Sequence, residues 1–203
     1  MKIAIVGATG NVGSHLVAEA ERRGHQITAI ARRIDERQAT ERIVPMRGDI
    51  SDEAALAAKL TGHDAVITAT KFVRTDAAQL IRIVKMSEVP RWLVVGGAGS
   101  LEVAPGVALV DTPDFPAEYR AEATAGRAFL DTLRTEREIN WTFLSPSALL
   151  ESGPRTDNFR LGGDQLLVDE TGNSHISVAD YAVAMIDELE RPQHVRERFT
   201  VGY

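Results

Sequence analysis

The sequence predicts an α/β fold with a doubly wound parallel sheet, helices on both faces and a small C-terminal elaboration. Three observations lead to this prediction. Short apolar runs alternate with amphipathic helical patterns along the first half of the chain. The runs are almost continuously apolar, as expected for strands covered on both faces. A glycine-rich turn joins the first run to the first helical pattern, and such alternation is typical of parallel sheets with right-handed crossovers.

Composition indicates one folded domain over residues 1–203 and excludes several function classes. Hydrophobic residues make up 44% and charged residues 26% of the chain, as in ordinary globular proteins. No apolar run is long enough to span a bilayer, no signal peptide is recognisable and there is no cysteine, so a cytoplasmic location fits. The formal net charge of -6 argues against broad nucleic-acid binding. The histidines show no metal-ligand spacing, and no metal site is predicted.

Five strands and three helices are predicted in the first half, in alternating order. Gly24 ends the first helix, Ser51 is the N-cap candidate of the second, and Pro90 follows the third. The strands are expected at residues 2–6, 26–31, 42–46, 65–69 and 91–95. The helices are expected at residues 12–23, 52–60 and 76–87.

The second half is less regular. Residues 101–116 form a long connection rich in Pro, Asp and Gly, and connections of this length in a compact domain are usually functional. A lid and a purely structural loop are both open interpretations. Residues 151–163 are expected to form a loop. The remaining strands are expected at residues 141–144, 165–168, 175–178 and 198–201, and the remaining helices at residues 117–136 and 179–190.

A glycine-rich turn, Gly-Ala-Thr-Gly-Asn-Val-Gly, ends the first strand and begins the first helix. Its first glycine allows the tight turn, its second lets the backbone approach a phosphate, and its third lets the helix pack on the sheet. Free N–H groups of the first helical turn then face the anion. The pattern predicts a dinucleotide pyrophosphate site, whereas the alternative is a turn without a ligand. The site residues are Gly7, Thr9, Gly10, Asn11, Val12 and Gly13.

The end of the second strand distinguishes between two dinucleotides. An acid at this position binds the ribose hydroxyls of NAD, and an arginine accommodates the 2′-phosphate of NADP. The strand ends in Ala31, Arg32 and Arg33, with Asp35 beyond it. Because a guanidinium binds two phosphate oxygens at once, the sequence favours NADP(H) over NAD(H), with Arg32 as the lead residue. Solvated arginines without a ligand are the alternative.

Two other strand ends are expected to line the cofactor. Asp49 and Ile50 follow the third strand, beside the predicted adenine position. A turn that caps the next helix is an equal alternative for Asp49. Ala69 and Thr70 follow the fourth strand, on the ribose or nicotinamide side. Lys71 comes next and is interpreted as a solvated residue rather than a phosphate ligand.

Six segments carry a family resemblance, at residues 7–13, 48–50, 63–67, 94–100, 141–146 and 198–203. Together they resemble atypical short-chain dehydrogenases/reductases, in the NAD(P)H-binding group assigned as NADH-flavin reductases. The resemblance covers essentially the whole chain and extends more distantly to the flavin/biliverdin-IXβ reductases. It implies a Rossmann-like fold, NADPH binding and hydride delivery to a flavin-like or other planar acceptor.

The chain departs from the catalytic pattern of that superfamily. Most members use a Tyr and a Lys four residues apart for proton exchange. Neither Tyr119 nor Tyr181 has a lysine at that spacing, and Tyr203 is the last residue. Where flavin/biliverdin-IXβ reductases carry a Ser after the fifth strand and a His after the sixth, this chain has glycines from Gly96 onward and Ser147. The catalytic residues therefore stay unassigned.

The sequence predicts an NADPH-dependent reductase of a flavin, a quinone or a similar small planar acceptor. Such an acceptor takes its proton from water, so the enzyme mainly has to bind and align two rings. The acceptor pocket is expected between residues 96–100, 101–116 and 145–150, in a monomer or homodimer. A non-catalytic NADP(H)-sensing regulator is the alternative, and a sugar epimerase or dehydratase is the third candidate.

Overall fold

An eight-stranded sheet forms the centre of the computed structural model, which describes residues 1–203. Twelve strands occur in chain order: β1 (Lys2–Val6), β2 (Gln26–Ala31), β3 (Ile43–Arg47), β4 (Ala65–Thr68), β5 (Trp92–Val95), β6 (Glu102–Ala104), β7 (Val107–Ala108), β8 (Trp141–Pro146), β9 (Leu149–Glu151), β10 (Arg160–Gly162), β11 (His175–Ser177) and β12 (Glu197–Gly202). The helices are α1 (Asn11–Arg22), α2 (Glu53–Leu60), α3 (Ala77–Ser87), α4 (Ala117–Leu133) and α5 (Val178–Glu190).

The strand order confirms the doubly wound parallel sheet. Across the sheet it reads β10-β12-β8-β5-β4-β1-β2-β3. Neighbouring strands are parallel except at the edge, where β10 runs antiparallel to β12. Because β1 lies between β2 and β4, the chain changes direction across the sheet beside β1. Ligands of such sheets bind outside the carboxyl ends of the strands at this point.

Helices cover both faces of the sheet, as predicted. α1 and α5 pack on one face, where Leu16 and Met185 join the apolar residues of the strands. α2, α3 and α4 pack on the other face through residues such as Leu56, Leu80 and Phe129. β4 is buried along its whole length, which explains its unbroken apolar sequence. The longest helix, α4, has 17 residues, and no helix combines the length and apolar composition needed to cross a membrane.

The start of α2 differs from the prediction. Asp52 is the N-cap, and its carboxylate accepts a hydrogen bond from the N–H of Ala55 at 3.1 Å. Ser51 instead donates its N–H to Oδ1 of Asp49 at 2.9 Å. Ser and Asp are comparably good N-caps, so the local sequence could not choose between two adjacent candidates.

In the second half, β8 and β12 extend beyond the predicted residues, whereas the short pairings differ from the prediction. The expected strand at residues 165–168 is wrong, because only Gln165 forms an isolated bridge, with Glu102. Residues 151–163, expected as a loop, include the end of β9 and the edge strand β10. The connection 101–116 contains the hairpin of β6 and β7. Pairings of two or three residues depend on tertiary contacts more than on local pattern.

A buried ion network joins α1 to α5. The carboxylate of Glu19 is 6% exposed and accepts hydrogen bonds from Arg22, Arg23 and Arg155. Arg23 also bonds to Asp187 of α5, at 2.7 Å. Burial by itself would raise the pKa of Glu19, but the three guanidinium groups hold this pKa at about 2.

We expect Glu19→Gln to lower the free energy of unfolding by about 2–3 kcal/mol at neutral pH. The pKa of Glu19 lies below its usual value of 4.5, so the carboxylate stabilises the fold fully above that pH. Its contribution is lost as the pH falls from 4.5 toward about 2. Urea denaturation measures the difference. The control is Glu21→Gln on the same helix, at a half-buried position without a salt bridge. Equal losses in the two variants would contradict the assignment.

Candidate cofactor-binding site

The turn between β1 and α1 requires glycine at its first position. Gly7 has a φ of +89°, and its N–H donates to the carbonyl oxygen of Ile30 in β2 at 2.8 Å. A Cβ on Gly7 would lie only 2.9 Å from the carbonyl carbon of Ala69, which follows β4. The backbone of the turn therefore lies in direct contact with the backbone at the ends of β2 and β4, as the glycine pattern predicts.

The other two glycines hold the first turn of α1 against this backbone. A Cβ on Gly13 would lie 2.8 Å from the carbonyl carbon of Gly7 and 3.1 Å from Cα of Ala8. Gly10 is the N-cap of α1, in extended conformation and without a side-chain cap. A Cβ on Gly10 would lie 3.2 Å from the carbonyl oxygen of Gly7. Any side chain at Gly13 would push the helix away from the turn.

The first turn of α1 presents free backbone donors. The N–H groups of Asn11, Val12 and Gly13 reach no protein acceptor, whereas the N–H of Ser14 bonds to the carbonyl oxygen of Gly10 at 2.9 Å. No acidic side chain lies in this turn. A helix N-terminus with free N–H groups and no competing carboxylate favours an anion.

A cavity of about 810 Å³ opens beside the turn, at the carboxyl ends of β1 to β4. Four separate segments of the chain bring nine of the twelve predicted cofactor residues to it. These nine are Gly7, Thr9, Gly10, Arg32, Arg33, Asp49, Ile50, Ala69 and Thr70. The other three, Asn11, Val12 and Gly13, supply the free N–H groups next to Gly10.

Eight further residues line the cavity, and sequence reasoning missed most of their roles. They are Val6, Ala31, Gly48, Ser51, Lys71, Arg74, Thr75 and Gln79. The sequence indicates a solvated Lys71, and the residue is indeed exposed, but it also belongs to the cavity lining. Arg74 ends a short 3-10 helix, Phe72–Arg74, that follows β4. The available signal in the sequence was that two cations, Lys71 and Arg74, follow closely after β4, which ends at Thr68.

Positive charge is concentrated in this cavity. Its four cations are exposed: Arg32, Arg33, Lys71 and Arg74. None of them forms a salt bridge within the protein, unlike the nearby Arg37, which pairs with Asp35 at 3.0 Å. Four unpaired cations in a chain of net charge -6 suit a ligand with several negative charges.

Asp49 forms a local turn and lines the cavity, but it is not the cap of α2, which is Asp52. In the turn, the carboxylate of Asp49 accepts the N–H of Ser51. The N–H and hydroxyl of Ser51 hold the pKa of Asp49 below its usual range, and the nearby charge of Arg32 adds to this effect. Gln79 of α3 donates to the carbonyl oxygen of Ile50 at 3.0 Å and fixes the next residue of the lining.

Glu122 of α4 anchors the 3-10 helix after β4. Its carboxylate accepts hydrogen bonds from the N–H groups of Phe72 at 2.8 Å and Val73 at 3.1 Å. The side chain of Phe72 is buried in the core. A carboxylate far away in sequence therefore fixes the segment that carries the cavity cations Lys71 and Arg74.

We expect Glu122→Gln to weaken NADPH binding by about fivefold, because Phe72 and Val73 donate to different carboxylate oxygens and glutamine replaces one of these acceptors with an NH2 donor. Fluorescence titration with NADPH measures the dissociation constant. Glu118→Gln, at an exposed position in the first turn of α4, is the matched control. An unchanged dissociation constant for Glu122→Gln would show that the anchor does not act on the cavity.

Hydroxyl groups at the ends of β5 and β8 are bound to the backbone. The buried hydroxyl of Tyr181 donates to the carbonyl oxygen of Leu144 at 2.7 Å and accepts the N–H of Gly96 at 3.3 Å. Burial raises the pKa of Tyr181 far above its usual range. Ser147 is also buried, and it donates to the carbonyl oxygen of Val201 at 3.0 Å. These contacts give both hydroxyls a structural role.

Comparison with known families decides where the chain belongs. The family model described as NAD(P)H-binding matches residues 7–189. The chain belongs to this NAD(P)H-binding family. Among curated relatives, the uncharacterized protein YwnB of Bacillus subtilis (strain 168) is 41% identical over 211 residues, which cover 99% of this chain and 98% of that protein. The family resemblance predicted from the sequence is thereby confirmed.

Solved structures show the same fold over the full length. A protein of Bacteroides thetaiotaomicron assigned as an epimerase is 43% identical, with a TM-score of 0.94 and coverage of 100% of this chain and 96% of that chain. A protein of Streptococcus pneumoniae TIGR4 assigned as an NADH-flavin reductase is 37% identical, with a TM-score of 0.87 and coverage of 100% and 99%. A short-chain dehydrogenase/reductase of Veillonella parvula DSM 2008, solved in complex with NADP, is 20% identical and shares the fold with a TM-score of 0.79, covering 100% and 94%.

Proposed function

We propose that this NAD(P)H-binding protein is an NADPH-preferring reductase that delivers hydride to a flavin, a quinone or a similar planar acceptor. The observation that carries the proposal is the cavity in which the glycine turn meets four unpaired cations. A pyrophosphate would accept the free N–H groups of α1, and a 2′-phosphate would pair with Arg32 and Arg33. NADH lacks this 2′-phosphate and would leave both guanidinium groups without an anion.

The chain's own residues would bind and orient the two reactants. Bound NADPH supplies a hydride from its nicotinamide ring. The cavity lies at the ends of β1 to β4 and includes no residue of β5 or β8, so the nicotinamide half would lie over the adjacent ends of β5 and β8. Because an oxidised flavin or quinone takes its proton from water, alignment of the two rings is sufficient there. A cytoplasmic location, where NADPH is regenerated, is part of this proposal.

Turnover with a panel of acceptors tests the proposal. Purified protein is mixed with NADPH or NADH and with flavins, quinones and enones, and cofactor absorbance is followed. We expect oxidation that requires an acceptor and is faster with NADPH than with NADH. The absence of turnover with every acceptor would contradict the proposed activity.

A non-catalytic NADP(H) sensor is the second candidate. The observation that favours it is that the hydroxyls of Tyr181 and Ser147 are bound to backbone groups, which leaves neither of them for proton transfer. A sensor would bind NADPH in the same cavity, show no turnover in the panel and act through a protein partner. A sugar epimerase, the description carried by the Bacteroides relative, needs a proton-transfer side chain, and this observation counts against it.

A further inference from the structure

The charge around the expected acceptor position differs sharply from the charge of the cofactor cavity. We infer that the acceptor is an uncharged planar ring, such as riboflavin or a quinone, rather than a flavin that carries a phosphate. This inference rests on the proposed function and names the acceptor class for the same site. It follows from strand order, side-chain charge and the hydrogen bonds of the surrounding arginines.

Strand order places the acceptor beside the segments that follow β5 and β8. The cofactor cavity ends after β4, and β5 and then β8 are the next strands in the sheet. Residues 96–116 and 145–154 lie at and after these two strand ends, and we expect them to line the space above. The two segments contain no Lys, Arg or His and four carboxylates, from Glu102, Asp111, Asp114 and Glu151.

Arginines near these segments are bound within the protein. Arg120 donates to the carbonyl oxygens of Val110 at 2.6 Å and Phe115 at 3.1 Å. Arg127 pairs with Asp111 at 2.6 Å. The four cations of the cofactor cavity have no partner within the protein, whereas the guanidinium groups of Arg120 and Arg127 are already bound to protein oxygens.

Asp111 is paired with Arg127, and Glu151 lies 3.4 Å from Nδ1 of His175, so the carboxylates without an ion pair are those of Glu102 and Asp114. A phosphate on the acceptor would meet their negative charge. It carries about -1.5 to -2 charges at neutral pH, and like charges at such sites repel each other over distances up to about the Debye length. An uncharged isoalloxazine or quinone ring avoids this repulsion and still stacks on a planar partner. The acidic surroundings thus select against phosphate on the acceptor, whereas the cationic cavity selects for phosphate on the cofactor.

Riboflavin and flavin mononucleotide provide the test, because they share one ring system and differ by a phosphate. The protein is first saturated with NADP+, and quenching of flavin fluorescence then gives a dissociation constant for each flavin. Turnover with NADPH gives kcat/KM for the same pair. We expect riboflavin to be favoured by about tenfold at low ionic strength, and the ratio to shrink with added salt.

Charge reversal identifies the origin of the preference. Asp114 forms no salt bridge in the structure, so Asp114→Lys removes no ion pair, and we expect it to narrow the riboflavin preference. We expect the same of Glu151→Lys, which also removes a 3.4 Å contact with Nδ1 of His175. Glu41→Lys makes the same charge change just before β3, at the amino edge of the sheet, and is expected to leave the ratio unchanged. The inference would be overturned if flavin mononucleotide bound as tightly as riboflavin or more tightly. It would also be overturned if Asp114→Lys and Glu151→Lys left the ratio of the two dissociation constants unchanged. Selective riboflavin binding without any turnover would contradict the reductase proposal but not the selectivity for an uncharged ring.

Discussion

Replacing Gly13 with alanine is expected to abolish measurable NADPH binding and to lower the free energy of unfolding by about 1–3 kcal/mol. The added Cβ would lie 2.8 Å from the carbonyl carbon of Gly7, so the first turn of α1 has to move away from the β1 turn. This movement displaces the free N–H groups of Asn11 and Val12. A shift of that kind removes the anion site even when the fold persists.

Two measurements separate the binding effect from the stability effect. Isothermal titration with NADPH gives affinity, and urea denaturation gives stability. Gly163→Ala is the matched control, because a Cβ on Gly163 would meet nothing within 4 Å. A Gly13→Ala protein that is folded and binds NADPH within about threefold of the unsubstituted chain would contradict the proposed pyrophosphate site, since removing a charge-assisted contact costs more than that.

Replacing Arg32 with alanine is expected to weaken NADPH binding by about 10-fold to 100-fold, because a hydrogen bond to a charged group contributes about 1.5–3 kcal/mol. NADH binding should change by less than about twofold, since NADH has no 2′-phosphate for Arg32 to meet. The loss with NADPH should fall as salt is added, because Arg32 is exposed and its charge is screened.

Arg37→Ala is the control for this prediction. Arg37 is also exposed and lies five residues further along, but its guanidinium pairs with Asp35 and does not line the 810 Å³ cavity. The Arg37→Ala protein is expected to keep its affinity for both cofactors. Equal losses of NADPH and NADH affinity on replacing Arg32 would remove the assignment of NADP preference.

The sequence was sufficient for the first half of the fold because its signals there are local. β1 and β2 occupy the predicted residues, and each is an apolar run bounded by glycines or charged residues. The turn between β1 and α1 could also be predicted from the sequence, because the close contacts of Gly7 and Gly13 leave no room for a side chain and require glycine. Nine cavity residues followed from the glycine pattern and from the ends of β2, β3 and β4, because parallel strands bring their carboxyl ends to one edge.

What the sequence could not show depends on contacts between distant residues. Lys71 and Arg74 reach the cavity because Glu122 accepts hydrogen bonds from the 3-10 helix that follows Lys71. No local sequence pattern indicates these two hydrogen bonds. The short strand β10 exists only through pairing with β12. The structural role of the Tyr181 hydroxyl likewise appears only when β5 and β8 lie side by side.

A crystal structure of the protein with NADP+ bound is the most direct test of the central claim, that the cavity beside β1 holds NADP(H). We expect the pyrophosphate at the N–H groups of Asn11, Val12 and Gly13, with the 2′-phosphate within hydrogen-bond distance of Arg32. NADP+ bound elsewhere on the chain, or seated with its 2′-phosphate away from Arg32 and Arg33, would contradict it.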